Sequence, residues 1–165
     1  MHAIAEKIKS ACPEGFVGVK EAFGELTVEV VRDQIMDVCR LVREDPSLDF
    51  DMLTDLCSVD FPNEAPRFEV IYQLYSLERN HRLRLKARVP EEDCHIDSVV
   101  SLWRSANFME REVFDMMGIS FNHHPDLRRI LMTEDYDEGY PLRKDFPVEG
   151  RGWRDDFENL SEDAG

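Results

Sequence analysis

Three carboxylates, Glu110, Glu112 and Asp115, fall inside one charge-dense stretch, Glu110-Arg111-Glu112-Val113-Phe114-Asp115-Met116-Met117, which stops at Gly118. On a helix Glu112 and Asp115 are three apart and share a face, the spacing of a carboxylate pair suited to acid–base or metal work. Arg111 and Asp115 are four apart and are placed to pair with each other. Acids near a helix C-terminus oppose its dipole, and a cation from elsewhere relieves that opposition. The same residues also support two quieter readings: a solvated charged face, or salt bridges to a partner protein.

His123 and His124 follow. Adjacent histidines lack the three- or four-residue spacing that sets two metal ligands on one helix face, so packing or hydrogen bonding is the stronger reading. Arg128-Arg129 and Arg143-Lys144 sit beside the acids Asp126 and Asp145. Guanidinium groups grip carboxylates and phosphates, but a phosphate cradle needs a glycine-rich turn at a helix start. With no such turn, interface anchoring is the better reading, since Arg and aromatic residues are enriched where proteins dock. No GxGxxG, GxxxxGK[ST] or GxSxG run occurs, so nicotinamide, flavin and nucleotide binding have no motif here.

Composition narrows the partners. The chain has 165 residues, a formal net charge of −15 and a hydrophobic fraction of 42%. Such acidity argues against free nucleic acid as a partner, because phosphate contact needs a basic footprint. That apolar content, with ten Phe, is enough for one domain with a sizeable core. Cys12, Cys39, Cys57 and Cys94 are far apart and read as reduced core thiols, not as a metal cluster or a disulfide framework. No secretory signal and no membrane-spanning apolar run is expected.

The elements that position these residues read as alternating helices and strands. His2 to Ala11 is a short amphipathic helix. Phe16 to Glu21 and Leu26 to Val31 are strands joined at Phe23-Gly24-Glu25. A helix begins near Asp33, carries Ile35, Met36, Val38, Cys39, Leu41 and Val42 on its apolar stripe, and ends at Asp45-Pro46. Phe50 to Val59 is a less regular extended segment. Phe68 to Tyr75 is apolar on both faces, as an inner strand is. From Arg82 to Val89, Leu83, Leu85, Ala87 and Val89 face one way and Arg82, Arg84, Lys86 and Arg88 the other. Those four cations are either an ordinary solvent face or a stripe for an acidic partner. Asp97 or Ser98 caps a helix through Val99, Val100, Leu102 and Trp103, and a second helix runs from about Phe108 to Met117. From Ile119 to Gly165 only turns and extended chain are expected, and so long a run is functional or wraps something.

The order of these words resembles a known family. Glu110-Arg111-Glu112, Asp115, Gly118-Ile119, His124-Pro125, Arg128-Arg129-Ile130-Leu131 and Pro141-Leu142-Arg143-Lys144-Asp145-Phe146-Pro147 match the thirty-kilodalton (C) subunit family of proton-pumping NADH–quinone oxidoreductase, respiratory complex I. A weaker match runs back to about residue 30. The pattern departs at Asp137-Glu138, where many members have a Gly-Phe or similar pair, and at Tyr140, where they have His.

The resemblance implies a cofactor-free peripheral-arm subunit, with FMN, iron–sulfur clusters and quinone held by partner subunits. It implies an α+β fold: a small mixed or antiparallel sheet with helices packed on it, plus an extended C-terminal segment. The expected division is 1–118 as the domain, 119–147 as the partner-binding segment and 148–165 as an acidic tail. That segment would lie along the subunit that builds the quinone cavity, on the cytoplasmic side of a bacterial inner membrane. Arg128, Arg129, Arg143 and Lys144 would anchor partner acids. Glu110, Glu112 and Asp115 would meet partner cations or cap partner backbone, and Phe121, Tyr140 and Phe146 would supply apolar burial. Arg111, His124 and Asp145 belong to the same interface. Three alternatives stand beside this reading: the equivalent subunit of a membrane-bound hydrogenase or a ferredoxin- or F420-linked dehydrogenase; a stand-alone metal-dependent hydrolase built on Glu112, Asp115 and His124; and a free-standing adaptor.

Overall fold

A computed structural model describes residues 2–148. The proposed acidic tail therefore lies outside the described residues, apart from Val148. In chain order the elements are α1 (His2–Ala11), β1 (Phe16–Ala22), β2 (Glu25–Val30), α2 (Ile35–Glu44), β3 (Met52–Asp60), β4 (Phe68–Ser76), β5 (His81–Val89), β6 (His95–Asp97), α3 (Ala106–Met117) and β7 (Ser120–Asn122). Arg32–Gln34 forms a short 3-10 turn ahead of α2.

Five strands make one mixed sheet in the order β1-β2-β5-β4-β3. The hairpins β1–β2 and β4–β5 are antiparallel, as is β3–β4, whereas β2 and β5 run parallel with Val28 opposite Leu85. The β1–β2 loop is Phe23-Gly24, both at positive φ (54° and 79°), a geometry whose twist suits a two-residue hairpin. The fold is thus α+β, as expected.

Period-two alternation sends Leu26, Val28, Val30, Val70, Tyr72, Leu74, Leu83, Leu85 and Ala87 to one sheet face. There they join Ile4 and Ile8 of α1 and Ile35, Val38, Cys39 and Val42 of α2 in a single core. The other face of β4 is less apolar than the sequence suggests. Glu69 is buried on it, held by Lys86 at 2.8 Å and Arg88 at 3.2 Å. Arg84 pairs with Glu25 at 2.6 Å, and the Arg82 guanidinium lies 5.7 Å from the Tyr75 ring centre. Three of the four strand cations are therefore neutralised by acids of their own chain.

Three expectations are corrected. Residues 98–104 are turns, not a helix. Val99 gives its N–H to the Glu110 side chain and Trp103 gives its indole N–H to the Phe50 carbonyl, so tertiary partners stop the helix after one turn. Phe50 to Val59 begins two residues later as β3, whose register shifts between Leu53 and Asp55, which accounts for its irregular pattern. Residues 119–165 are not free of strands: β7 pairs in parallel with β6, Ile96 opposite Phe121.

Candidate docking strap and its internal anchors

Residues 119–147, hereafter the strap, return onto the domain at two carboxylates. Asp115 sits on the last turn of α3 with no exposed surface. Its Oδ2 accepts three successive backbone N–H groups, from Ile130 at 3.0 Å, Leu131 at 2.8 Å and Met132 at 2.8 Å. Its Oδ1 meets the Arg129 guanidinium at 2.6 Å. Burial alone would raise this carboxyl, but the amides of Met132, Ile130 and Leu131 with Arg129 outweigh it and hold the group below the ordinary carboxylate range. The cation that a helix-terminal acid requires comes from the chain itself.

One turn earlier, Arg111 does the converse. Its Nε and Nη2 donate to the carbonyls of Arg128 and Arg129, each at 3.1 Å. The expected Arg111–Asp115 pair is thus replaced by two residues that share a helix face and divide the strap backbone between them, one taking carbonyls and the other amides. Gly118 ends α3 in the left-handed region at φ 74°, and a Cβ there would collide with the Tyr140 ring.

The second anchor is at the sheet end. Asp60 closes β3 with its side chain fully enclosed, and Arg67, just before β4, binds it through Nε at 2.8 Å and Nη2 at 2.9 Å. Arg67 also reaches Glu91 at 2.7 Å and Asp145 at 3.0 Å, while Asp60 accepts the Lys144 N–H at 2.7 Å. The Arg67 guanidinium is the leading cause that holds both Asp60 and Asp145 low. Arg143 donates to the Met117 carbonyl at 2.7 Å and lies between the Phe68 and Tyr140 rings, 4.8 Å and 4.5 Å from their centres. Neither Asp60 nor Arg67 stood out in the sequence. The available signal was a pair of unlike charges closing two apolar strands across one short loop.

The predicted site residues divide accordingly. Glu110, Arg111 and Asp115 are buried in this chain, and Arg111 and Asp115 serve its own backbone. Phe121 belongs to its own core. Arg129, Tyr140 and Arg143 are partly covered as anchors of the strap. Glu112, Arg128, Lys144 and Asp145 are exposed, with Arg128 paired to Asp126 at 2.9 Å and Asp145 to Arg67. Phe146 is half-buried. His124 is engaged by Asn107 and Asp126. Its Nδ1 accepts the Asp126 N–H at 3.0 Å and its Nε2 lies 3.1 Å from the Asn107 carbonyl. The hydrolase reading therefore lacks its site: Asp115 is saturated and both His124 nitrogens are engaged. Among the described residues no group of three His, Cys, Asp or Glu side chains is placed to hold a metal ion. Nor is any described helix long and apolar enough to cross a membrane.

The described residues form an α+β domain whose strap is tied back to it at Asp115 and Asp60. The family described as "Respiratory-chain NADH dehydrogenase, 30 Kd subunit" matches residues 28–152, and the chain belongs to that family. It is 50% identical over 145 residues to the C subunit of the NADH-quinone oxidoreductase of Geobacter sulfurreducens, covering 87% of this chain and 88% of that one. The corresponding C subunit of Roseiflexus sp. (strain RS-1) is 46% identical, covering 88% and 83%. Among solved structures, the trypsin-resistant fragment (1-134) of Nqo5 superposes with a TM-score of 0.65 at 30% identity, covering 76% of this chain and 98% of the fragment. A membrane-bound sulfane sulfur reductase, an archaeal respiratory membrane complex, contains a chain alike at a TM-score of 0.74 and 25% identity, covering 89% and 85%.

Proposed function

We propose that this chain is a cofactor-free peripheral-arm subunit of a proton-translocating NADH–quinone oxidoreductase, docking through its strap on the subunit that builds the quinone cavity. FMN, iron–sulfur clusters and quinone belong to its neighbours, and it meets the cytoplasmic side of the bacterial inner membrane only through the complex. The observation that supports this reading is the strap itself. Its backbone is fixed from inside by Asp115, Arg111 and Asp60, and Arg67 holds the Asp145 side chain, while Arg128, Leu131, Leu142 and Lys144 face outward. A preformed segment with exposed cations and leucines binds with less ordering cost than a flexible one.

The test separates docking from folding. Arg128→Glu and Lys144→Glu change exposed charges and leave both internal anchors in place. Losing one anchor of a desolvated pair costs about 2–5 kcal/mol. Assembled complex recovered from membranes is expected to fall, with turnover per assembled complex unchanged. Normal assembly with lost turnover would show a direct catalytic part instead. Arg129→Ala and Arg143→Ala lower assembly too, but they also weaken the strap's own attachment and are read beside the stability of the isolated chain.

A second reading is the equivalent subunit of a related membrane-bound hydrogenase or a ferredoxin- or F420-linked dehydrogenase, and the likeness to a chain of another respiratory membrane complex keeps a redox assembly other than the NADH–quinone oxidoreductase in view. Affinity purification from native membranes, with identification of the co-purifying redox subunits, decides between the two.

A further inference from the structure

Glu110 is as enclosed as Asp115 but lives in opposite surroundings. Its Oε1 accepts the Val99 N–H at 2.8 Å, and its Oε2 has no hydrogen-bond partner. The nearest group able to carry a positive charge is His124, whose Nε2 stands 3.9 Å from Oε2 with both side chains enclosed. That ring is already committed. Because Nδ1 accepts an amide hydrogen, the ring proton sits on Nε2 and is given to the Asn107 carbonyl. From α2 the buried Cys39 thiol bears on Glu110, and from β4 the Tyr72 phenol does. Burial pushes both of those groups up, so neither supplies a counter-charge, and Asp97 at the end of β6 bears on Tyr72 with a further negative charge. Tyr72 Oη is itself buried without a partner. A carboxylate among these groups would be a desolvated anion held only by the Val99 amide and the Ser98 hydroxyl, with no cation beside it, whereas the neutral acid needs far less.

We propose that Glu110 is a buried proton-binding site: the folded chain holds its carboxyl as the neutral acid, and loss of that proton loosens the root of the strap at residues 121–126. Ionisation sends the proton to bulk water and leaves a charged Oε2 that draws the His124 Nε2–H away from Asn107. The Asp126 amide, tied to the other side of the same ring, loses its fixed acceptor. Burial is the leading cause that lifts this carboxyl to about 7, against the opposing pull of Ser98 and Val99. The unfolded chain binds the proton only below about 4.3. Between those values the folded state holds more protons than the unfolded state, so rising pH destabilises it.

The full-length chain, wild type beside Glu110→Gln, is titrated from about pH 5 to about pH 8.5. Infrared absorption reads the carboxylic acid carbonyl, and amide exchange at Asp126, normalised to the intrinsic base-catalysed rate, reads the strap root. The wild type is expected to show an acid band that fades through neutral pH and that the Gln variant lacks. Its folded-to-unfolded ratio, relative to Glu110→Gln, falls on the order of a hundredfold from pH 5 to pH 8. Normalised exchange at Asp126 rises with pH in the wild type alone. Parallel pH profiles in the two proteins, or a wild-type acid band missing at pH 5 or unchanged at pH 8.5, overturn the proposal. The infrared titration uses the wild type only and decides the matter even if the variant fails to fold.

Discussion

At the scale of single residues, Asp115 and Glu110 share a helix and differ in what surrounds their oxygens. Asp115 has four donors, a guanidinium among them, and stays charged, whereas Glu110 has only the Val99 amide and the Ser98 hydroxyl and does not hold a charge readily. Asp115→Asn keeps the shape but removes the charge, and its single NH2 has to face either the three backbone N–H groups or the Arg129 guanidinium, donor against donor. Breaking a buried pair in this way costs about 3–5 kcal/mol, measured as a lower denaturant midpoint, and amide exchange should quicken first at Ile130, Leu131 and Met132. The pH dependence has a definite sign. A carboxyl held below its ordinary value contributes stability that is present above about pH 4 and is lost as pH falls through the folded value. The gap between Asp115→Asn and wild type should therefore narrow in acid, and a gap constant down to pH 2 would count against the assignment. The sequence placed Arg111 and Asp115 on one helix face but not their partners. Spacing along a helix says which side chains are neighbours, not which distant backbone will be laid across them.

Elements show where local signals suffice. The hairpins, with β4 and β5 among their strands, and α2 were legible because alternation or a 3.6-residue stripe runs through each. β6 and β7 were not: three residues carry no period, and their pairing joins segments about 25 residues apart. The turns at 98–104 look helical in apolar spacing, but β-branched Val99 and Val100 and the competing claims of Glu110 and Phe50 on their backbone and on Trp103 prevail. The β3–β4 junction is the strongest element-level prediction. Arg67→Met leaves Asp60 enclosed without its guanidinium and releases Asp145. It should cost about 3–5 kcal/mol by equilibrium unfolding and free residues 140–146 to limited proteolysis. Arg67→Met combined with Asp60→Leu should recover much of the loss, because it removes the stranded charge; no recovery would show that the pair acts through something other than charge compensation.

For the whole molecule, the open sheet face is nearly self-neutralised, while Arg128 and Lys144 stay exposed on the strap's outer edge. A strand of alternating Arg and Lys reads the same in sequence whether or not Glu25, Glu64 and Glu69 stand opposite, so its neutralisation shows only in the fold. One topological fact reaches beyond the finished fold. β2 finds its parallel neighbour only when β5 arrives, about 55 residues later. At ribosomal speeds of about 5–20 residues per second, the emerging chain spends on the order of a few seconds with Leu26, Val28 and Val30 lacking the strand that flanks them. Nascent chains arrested before His81 should therefore leave the first hairpin open to protease, and chains arrested well beyond Val89, once β5 has cleared the exit tunnel, should shield it. Equal protection at both lengths would mean that the amino-terminal quarter closes without waiting.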